Sequence, residues 1–156
     1  MSDFHCVAIP SETAARWRET GTDDNGNMLR RMPSDGTAPC RHCLQRGKPG
    51  EEMLLGSYNL LGPLGIYWTP SPIFVHAEAC PHYAASNEVP EIVARNAMVS
   101  VRAYDRDDQC LYDLGHAGAG DAVDPFLLRA ISDPRTKFVN IHTAKPGCML
   151  CRVERG

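Results

Sequence analysis

Hydrophobic residues in this chain occur mostly in short runs that are separated by polar turns rich in glycine and proline. In the last long run, Val139 and Ile141 alternate with Asn140 and His142, the two-residue period of a strand with one buried face. Other runs are rich in apolar and β-branched residues and are bounded by turn residues, which is typical of strands. The predicted strands cover residues 4–9, 52–60, 73–76 and 136–143.

Two further runs and three helical patterns complete the expected architecture. Residues 98–104 and 109–114 flank a short acidic link, a pattern that predicts a hairpin. Helices are predicted over residues 11–18, 90–95 and 125–132, where Ser11 can cap the first and Pro125 fits the first turn of the third. Pro81 marks another helix start directly after Cys80. We therefore predict an α+β fold, a single domain of residues 1–156 with a mainly antiparallel sheet and a few short helices.

Composition and charge restrict the classes of function. The chain has 156 residues, of which 43% are hydrophobic and 22% charged, as in ordinary globular proteins. No apolar run approaches the roughly 20 residues of a membrane span, and we see no secretory leader, so we expect a cytoplasmic protein without a membrane partner. The net charge of −3 argues against a nucleic-acid partner, since nucleic-acid binding usually needs a strongly basic face.

The cysteines carry the clearest chemical signal. There are seven, so complete internal pairing is impossible, and in a reducing compartment Cys-x-x-Cys indicates metal or redox chemistry. Two such pairs occur, Cys40 with Cys43 and Cys148 with Cys151. Zinc takes four thiolate or imidazole ligands in a tetrahedron, and we favour these four cysteines as a closed, structural zinc site. The long separation is no obstacle, because loop closure costs only about 0.6 kcal/mol per doubling of length.

A rival grouping of ligands stays open. Cys40, Cys43, His76 and Cys80 follow the order of a knuckle, a hairpin and a His-x-x-x-Cys segment, which resembles the treble-clef class of zinc modules. Such modules place their last ligands in the first turn of a helix, and the departure here is Pro81 with only a short helix behind it. In that grouping the second Cys-x-x-Cys pair would be spare thiols.

Three functions are compatible with these residues. The first is a structural zinc domain with a binding or adaptor role, in which Arg41, Arg46 and Lys48 frame a small anionic or protein partner. The second is a thiol-disulfide redox or sensor protein that uses the Cys-x-x-Cys pairs. The third is a hydrolase with Cys80 as nucleophile and His76 or His82 as base. No motif fixes a substrate, so the sequence does not decide whether the protein is an enzyme.

Four segments together resemble a known family. They are Cys-Arg-His-Cys-Leu at residues 40–44, Ile-Phe-Val-His at 73–76 followed by Cys80, Val-Arg-Ala-Tyr-Asp at 101–105, and Pro-Gly-Cys-Met-Leu-Cys-Arg at 146–152. In this order they are similar to the bacterial domain-of-unknown-function family 1203 (DUF1203). The resemblance implies a soluble bacterial single-domain protein and implies no reaction. The metal hypothesis therefore rests on the residues themselves.

Overall fold

The computed structural model describes residues 3–60 and 64–156 of the chain. Within these ranges the strands are β1 (Phe4–Val7), β2 (Arg30–Pro33), β3 (Glu52–Tyr58), β4 (Ser71–His76), β5 (Val99–Tyr104), β6 (His116–Gly118), β7 (Phe138–Thr143) and β8 (Met149–Arg155). The α-helices are α1 (Ser11–Thr20), α2 (Glu91–Ala94) and α3 (Asp124–Ser132). The predicted α+β class with antiparallel strand pairing is confirmed, with the strands divided between two sheets. No helix in the described ranges has the length and apolar character needed to cross a bilayer.

The large sheet has five strands in the order β1-β8-β7-β5-β6, and every neighbouring pair is antiparallel. Because side chains alternate along a strand, Val139, Ile141 and Val153 fall on one face, where they are fully buried. Helix α3 covers this face with Leu127 and Ile131. The main hydrophobic core therefore lies between the large sheet and α3.

The small sheet has three strands in the order β2-β3-β4, again antiparallel. Helix α1 packs on it through Trp17, which is fully buried in a second hydrophobic cluster with Met53 and Ile73. The helix ends at Gly21, whose positive φ of 68° lets its N–H bond back to the Trp17 carbonyl oxygen. The cysteines Cys40 and Cys43 belong to this second cluster.

The two sheets meet where β4 contacts β8. The Met149 N–H donates to Ser71 Oγ over 2.9 Å, and the Met149 side chain joins the second hydrophobic cluster. Leu44 also connects the two clusters. It directly follows Cys43, which belongs to the second cluster, but its own side chain is fully buried in the main core. Residues 40–45 thus lie between the two cores and contact both.

Most of the predicted elements form, and the differences have physical causes. Strands β2, β6 and β8 were not predicted: β2 is a mostly exposed edge strand, β6 has only three residues, and the cysteines of β8 suggested a ligand loop. Residues 109–114 form the second arm of the predicted hairpin only at its start: Cys110 bridges to Tyr104, Leu111 donates its N–H to the Ala103 carbonyl oxygen over 2.8 Å, and Tyr112–Leu114 is a 3₁₀ turn. The partner of β5 on that side is β6, a few residues further on. The helix start predicted at Pro81 does not form, and the chain after Cys80 is coil.

Candidate metal centre

The turn at residues 40–45, which we call the knuckle, presents two sulfur atoms in one direction. The Cys40 N–H bonds to the Gln45 carbonyl oxygen over 3.0 Å, and the Leu44 N–H bonds to the Cys40 carbonyl oxygen over 2.9 Å. Closing this turn puts Leu44 at a φ of 57°, a conformation that costs energy for a side chain other than glycine. Burial of the Leu44 side chain in the main core compensates for that strain.

The knuckle lies against β4, and this contact brings a histidine to the sulfurs. Arg41 donates its N–H to the Phe74 carbonyl oxygen over 3.0 Å, and Cys40 and Phe74 form a parallel bridge. His76, the last residue of β4, donates its N–H to Cys40 Sγ over 3.4 Å. Cys80 lies in the coil after β4, and its sulfur lies beside the sulfur of Cys40.

Four ligand atoms therefore converge, those of Cys40, Cys43, His76 and Cys80, and all lie within 4.8 Å of one another. The sulfurs of Cys40 and Cys80 are 3.8 Å apart, and Cys43 Sγ is 3.5 Å from His76 Nδ1. Zn–S bonds of about 2.3 Å and Zn–N bonds of about 2.0–2.1 Å at tetrahedral angles require edges of about 3.8 Å and about 3.5 Å. This ligand cluster can hold one metal ion.

Polar side chains around the cluster orient its ligands. Glu51 Oε1 lies 3.6 Å from His76 Nε2, on the side of the imidazole away from the sulfurs, and so favours Nδ1 as the ligand atom. Arg18 donates through Nε to the His76 carbonyl oxygen over 3.0 Å and through Nη2 to Cys80 Sγ over 3.4 Å. A carboxylate beside a ligating histidine is a common outer partner in protein metal sites, and the Arg18 guanidinium adds a donor to the sulfur of Cys80.

His42 has a role that the sequence did not reveal. It lies between the two knuckle cysteines, and its side chain is buried with 3% exposure. Its Nδ1 is 3.2 Å from Cys80 Sγ, and its Nε2 is 2.9 Å from Ser11 Oγ at the start of α1. The Ser11 hydroxyl can donate to Nε2, which leaves Nδ1–H to donate to the Cys80 sulfur. Position inside the knuckle was the available signal, but nothing in the sequence indicated which way the ring points.

Crowding of the four groups changes their proton affinities. Hydrogen bonds from the Cys43 and Cys80 thiols hold the pKa of the Cys40 thiol well below its usual value, and the Cys43 N–H acts in the same direction. The same contacts with Cys40 and Cys80 raise the pKa of Cys43. Hydrogen bonds to Cys40 and Cys80 raise the pKa of His76 to about 10. These shifts favour negative charge on the Cys40 sulfur next to the His76 ring, and a cation bound there would compete with the protons of the four groups.

The cluster opens on one side to a cleft of about 510 Å³, which we call the ligand cleft. Cys40 is fully buried, whereas His76 and Cys80 are half-buried and line the cleft. The charged residues that surround the opening are Arg46, Lys48, Glu51, Glu52 and Glu78. Both signs of charge are present, so the opening has no single electrostatic preference.

The sequence favoured a metal site made of both Cys-x-x-Cys pairs, but the structure brings together the rival set of ligands. Cys148 and Cys151 lie outside the ligand cluster. Cys151 is a residue of β8, which lies between β1 and β7, and its buried thiol contacts the Cys6 thiol in the main core. The N–H of Cys148 donates to Thr143 Oγ1 over 3.0 Å, so this residue belongs to the turn between β7 and β8. Neither sulfur of the second pair is therefore among the ligand atoms that converge at the knuckle.

Two other expectations about this region also change. Arg41 is 2% exposed and donates to carbonyl oxygens, which leaves Arg46 and Lys48 as the basic residues at the surface beside the cluster. His82, expected as a base for Cys80, instead places its ring 5.1 Å from the His42 ring. The imidazole that contacts Cys80 most closely is that of His42.

The chain belongs to the family described as "Protein of unknown function (DUF1203)", whose sequence model matches residues 37–155. The match begins just before the knuckle and ends in β8, so it includes the whole ligand cluster. No match was found among curated proteins or among solved structures. The family assigns no reaction, and the functional argument rests on the geometry of the site.

Proposed function

We propose that this protein is a zinc-binding domain in which Cys40, Cys43, His76 and Cys80 hold one structural ion. The observation that supports this most strongly is the convergence of four ligand atoms to within 4.8 Å of one another. Two of the edges, at 3.8 Å and 3.5 Å, have the lengths that a tetrahedral zinc site requires.

The chemistry of the donors favours zinc over other metals. Thiolate sulfur and imidazole nitrogen are soft to intermediate ligands, whereas calcium and magnesium take oxygen ligands. Three thiolates and one neutral imidazole give a zinc site a net charge of −1, and the Arg18 guanidinium at 3.4 Å from Cys80 Sγ lies where it offsets that charge. Four protein ligands leave no coordination position open, which is the property of a structural rather than a catalytic zinc site.

A structural ion has an evident task in this fold. The knuckle is already bonded to β4, but the coil that carries Cys80 has backbone hydrogen bonds to other described residues only near its two ends. Across the coil, Ala77 donates its N–H to the Glu52 carbonyl oxygen and Tyr83 donates its N–H to the His42 carbonyl oxygen. An ion bound at Cys80 would fix the coil between these two bonds against the second hydrophobic cluster.

The role that goes with such a site is binding rather than catalysis. We place the partner at the ligand cleft, where Arg46 and Lys48 lie among three carboxylates, so a protein segment with charges of both signs fits the opening better than a small free anion. The free thiols are consistent with a reducing, cytoplasmic setting. No feature of the site selects a nucleic acid or a membrane.

Metal analysis of protein purified under reducing conditions tests the proposal. We expect about one zinc per chain in the wild type and much less in Cys43→Ser and His76→Ala. Cys110→Ser and Cys148→Ser serve as matched controls, since both residues are half-buried cysteines outside the cluster, and both should keep the ion. Chelation should lower the melting temperature of wild type and controls alike. Wild type without zinc, or loss of zinc from Cys148→Ser equal to that from Cys43→Ser, would contradict the proposal.

A further inference from the structure

We infer that Cys80 and Cys40 are a peroxide-sensitive dithiol, whose oxidation to a disulfide releases the ion from the ligand cluster. The inference rests on the proposed zinc site and adds its regulation. It also identifies Cys80 as the residue that a peroxide modifies first.

Access distinguishes Cys80 from the other sulfurs of the cluster. Cys80 is half-buried and lines the ligand cleft, so a small oxidant from solvent reaches it directly. Cys40 is fully buried, and Cys43, which also lines the cleft, is only 7% exposed and is fixed within the knuckle. The order of attack by an external reagent is therefore Cys80 first.

Two donors from outside the ligand cluster prepare Cys80 for this chemistry. Arg18 Nη2 is 3.4 Å from its sulfur, and His42 Nδ1 is 3.2 Å away on a ring that Ser11 orients. A guanidinium and an imidazole N–H are thus both placed to donate hydrogen bonds to the Cys80 sulfur when its bond to the metal loosens. The same cation can hold a peroxide oxygen as charge develops on it.

A partner thiol is already in place. Cys40 Sγ is 3.8 Å from Cys80 Sγ, and a disulfide requires an S–S bond of about 2.05 Å. The coil that carries Cys80 can make this small movement, because between Ala77 and Tyr83 it forms no backbone–backbone hydrogen bond with described residues. Cys40 is held by the knuckle and by β4, so the sulfur of Cys80 is the one that moves.

The reaction balances with a hydroperoxide as the oxidant. The Cys80 thiolate attacks one peroxide oxygen, the O–O bond breaks, and the departing oxygen leaves as an alcohol, or as water from hydrogen peroxide, after taking up a proton. The Cys80 sulfenic acid that forms is then attacked by the Cys40 thiolate, an S–S bond replaces the S–O bond, and the hydroxide leaves as water with a second proton. The two thiols are oxidised by two electrons and the peroxide is reduced. The ion keeps only Cys43 and His76 as ligands, too few for a stable zinc site.

The experiment follows zinc release and disulfide formation in the full chain. Reduced, zinc-loaded protein is treated with one equivalent of hydrogen peroxide, released zinc is measured with a chromogenic chelator, and disulfides are mapped by mass spectrometry. We expect close to one zinc released per chain, a Cys40–Cys80 disulfide, and reversal by a thiol reductant in the presence of zinc. Retention of zinc, or release accompanied by a disulfide that excludes Cys80, would overturn the inference.

A variant that leaves all four ligands in place separates the mechanism from simple loss of the site. Arg18→Met removes the cation beside Cys80, and we expect it to release zinc several-fold more slowly at the same peroxide concentration. Arg16→Met, in the same helix but paired with Asp24, is the matched control and should release zinc at the wild-type rate. An equal rate for both variants would remove Arg18 from the mechanism. Reduced protein that holds no zinc would contradict the metal site itself, whereas zinc that peroxide does not release would contradict only the dithiol.

Discussion

Arg41 donates through Nε to the carbonyl oxygen of Met149 over 2.8 Å, although the two residues are 108 positions apart in the chain. A second bond runs from Arg41 Nη1 to the Pro39 carbonyl oxygen over 2.7 Å. Burial lowers the pKa of Arg41 to about 10, and the neighbouring thiols of Cys148 and Cys40 act against that shift. The guanidinium thus attaches the knuckle to the first residue of β8 and lies between the two Cys-x-x-Cys pairs.

Replacement of Arg41 tests this attachment. Arg41→Met should lower the free energy of unfolding by about 2–4 kcal/mol, because a buried and a partly buried carbonyl oxygen lose a charged donor. Urea unfolding would measure the change. Arg31→Met is the control: Arg31 pairs with Glu52 on the surface, so its loss should cost less than about 1 kcal/mol. Equal effects of the two substitutions would show that Arg41 does not hold the knuckle.

A close backbone approach at Gly120 gives a second prediction. A Cβ at this position would lie 1.8 Å from the Val93 carbonyl oxygen, and the Gly120 N–H bonds to the Asn96 carbonyl oxygen over 3.0 Å. Gly120→Ala must push α2 away from the chain before α3, at a cost of about 3 kcal/mol. A Cβ at Gly65 meets no atom of the described residues within 4 Å, so Gly65→Ala should leave the melting temperature nearly unchanged. Similar melting temperatures for both variants would contradict the packing described.

His142 should make stability depend on pH. Burial lowers its pKa to about 4, although a hydrogen bond with the Gly147 carbonyl oxygen favours the charged form; Arg102 and Arg41 lower it further. Nδ1–H donates to that carbonyl over 2.9 Å, and Nε2 is buried without a hydrogen-bond partner among the described residues. The unfolded chain, with a histidine pKa near 6.5, therefore binds the proton more readily than the folded chain.

The sign of the effect follows directly from that difference. The contribution of His142 to stability is complete above a pH of about 6.5 and declines as the pH falls through 6.5 toward 4, by about 2 kcal/mol between pH 7 and pH 4.5. Urea unfolding at both pH values would measure it. His142→Phe should remove this part of the pH dependence, and substitution of the more exposed His5 by Phe should not. A wild-type pH dependence in His142→Phe would contradict the assignment.

Glu51 should support metal binding through His76. Its Oε1 is 3.6 Å from His76 Nε2, the position of the outer carboxylate in carboxylate–histidine–zinc arrangements. We expect Glu51→Ala to weaken zinc affinity by about tenfold, the lower end of the usual range, because Glu51 is partly exposed and the distance is long. Competition with a chromogenic chelator would measure the affinity. Glu52→Ala changes the neighbouring carboxylate, which pairs with Arg31, and should have no effect on affinity. If Glu52→Ala weakened zinc affinity as much as Glu51→Ala, the loss of negative charge near the site would explain both effects and the specific role of Glu51 would be contradicted.

Local patterns in the sequence were sufficient for elements with a clear period or cap. Strand β7 and helix α3 have them, through the alternation around Val139 and through Pro125, and both form close to their predicted positions. Strand β2 has neither, because it is short and mostly exposed, and its pairing with β3 is a tertiary effect. Strand β8 was missed because its segment was interpreted as a metal-ligand loop from its cysteines.

The candidate site shows a similar limit. Spacing identified all four members of the ligand cluster among the candidates, but it could not choose between two groupings that share Cys40 and Cys43. That choice depends on the position of β8 in the large sheet, which is a question of topology. The orienting residues Arg18 and Glu51 have no sequence signal, because they reach the cluster only when α1 and β3 pack beside it.

The first coordination shell of the bound ion tests the central claim most directly. We predict that zinc-edge X-ray absorption of reduced, metal-loaded protein shows three sulfur ligands at about 2.3 Å and one nitrogen ligand at about 2.0–2.1 Å. The spectrum should lose its nitrogen ligand in His76→Cys and stay unchanged in Cys151→Ala. Four sulfur ligands in the wild type, or a spectrum altered by Cys151→Ala, would contradict the assignment of Cys40, Cys43, His76 and Cys80.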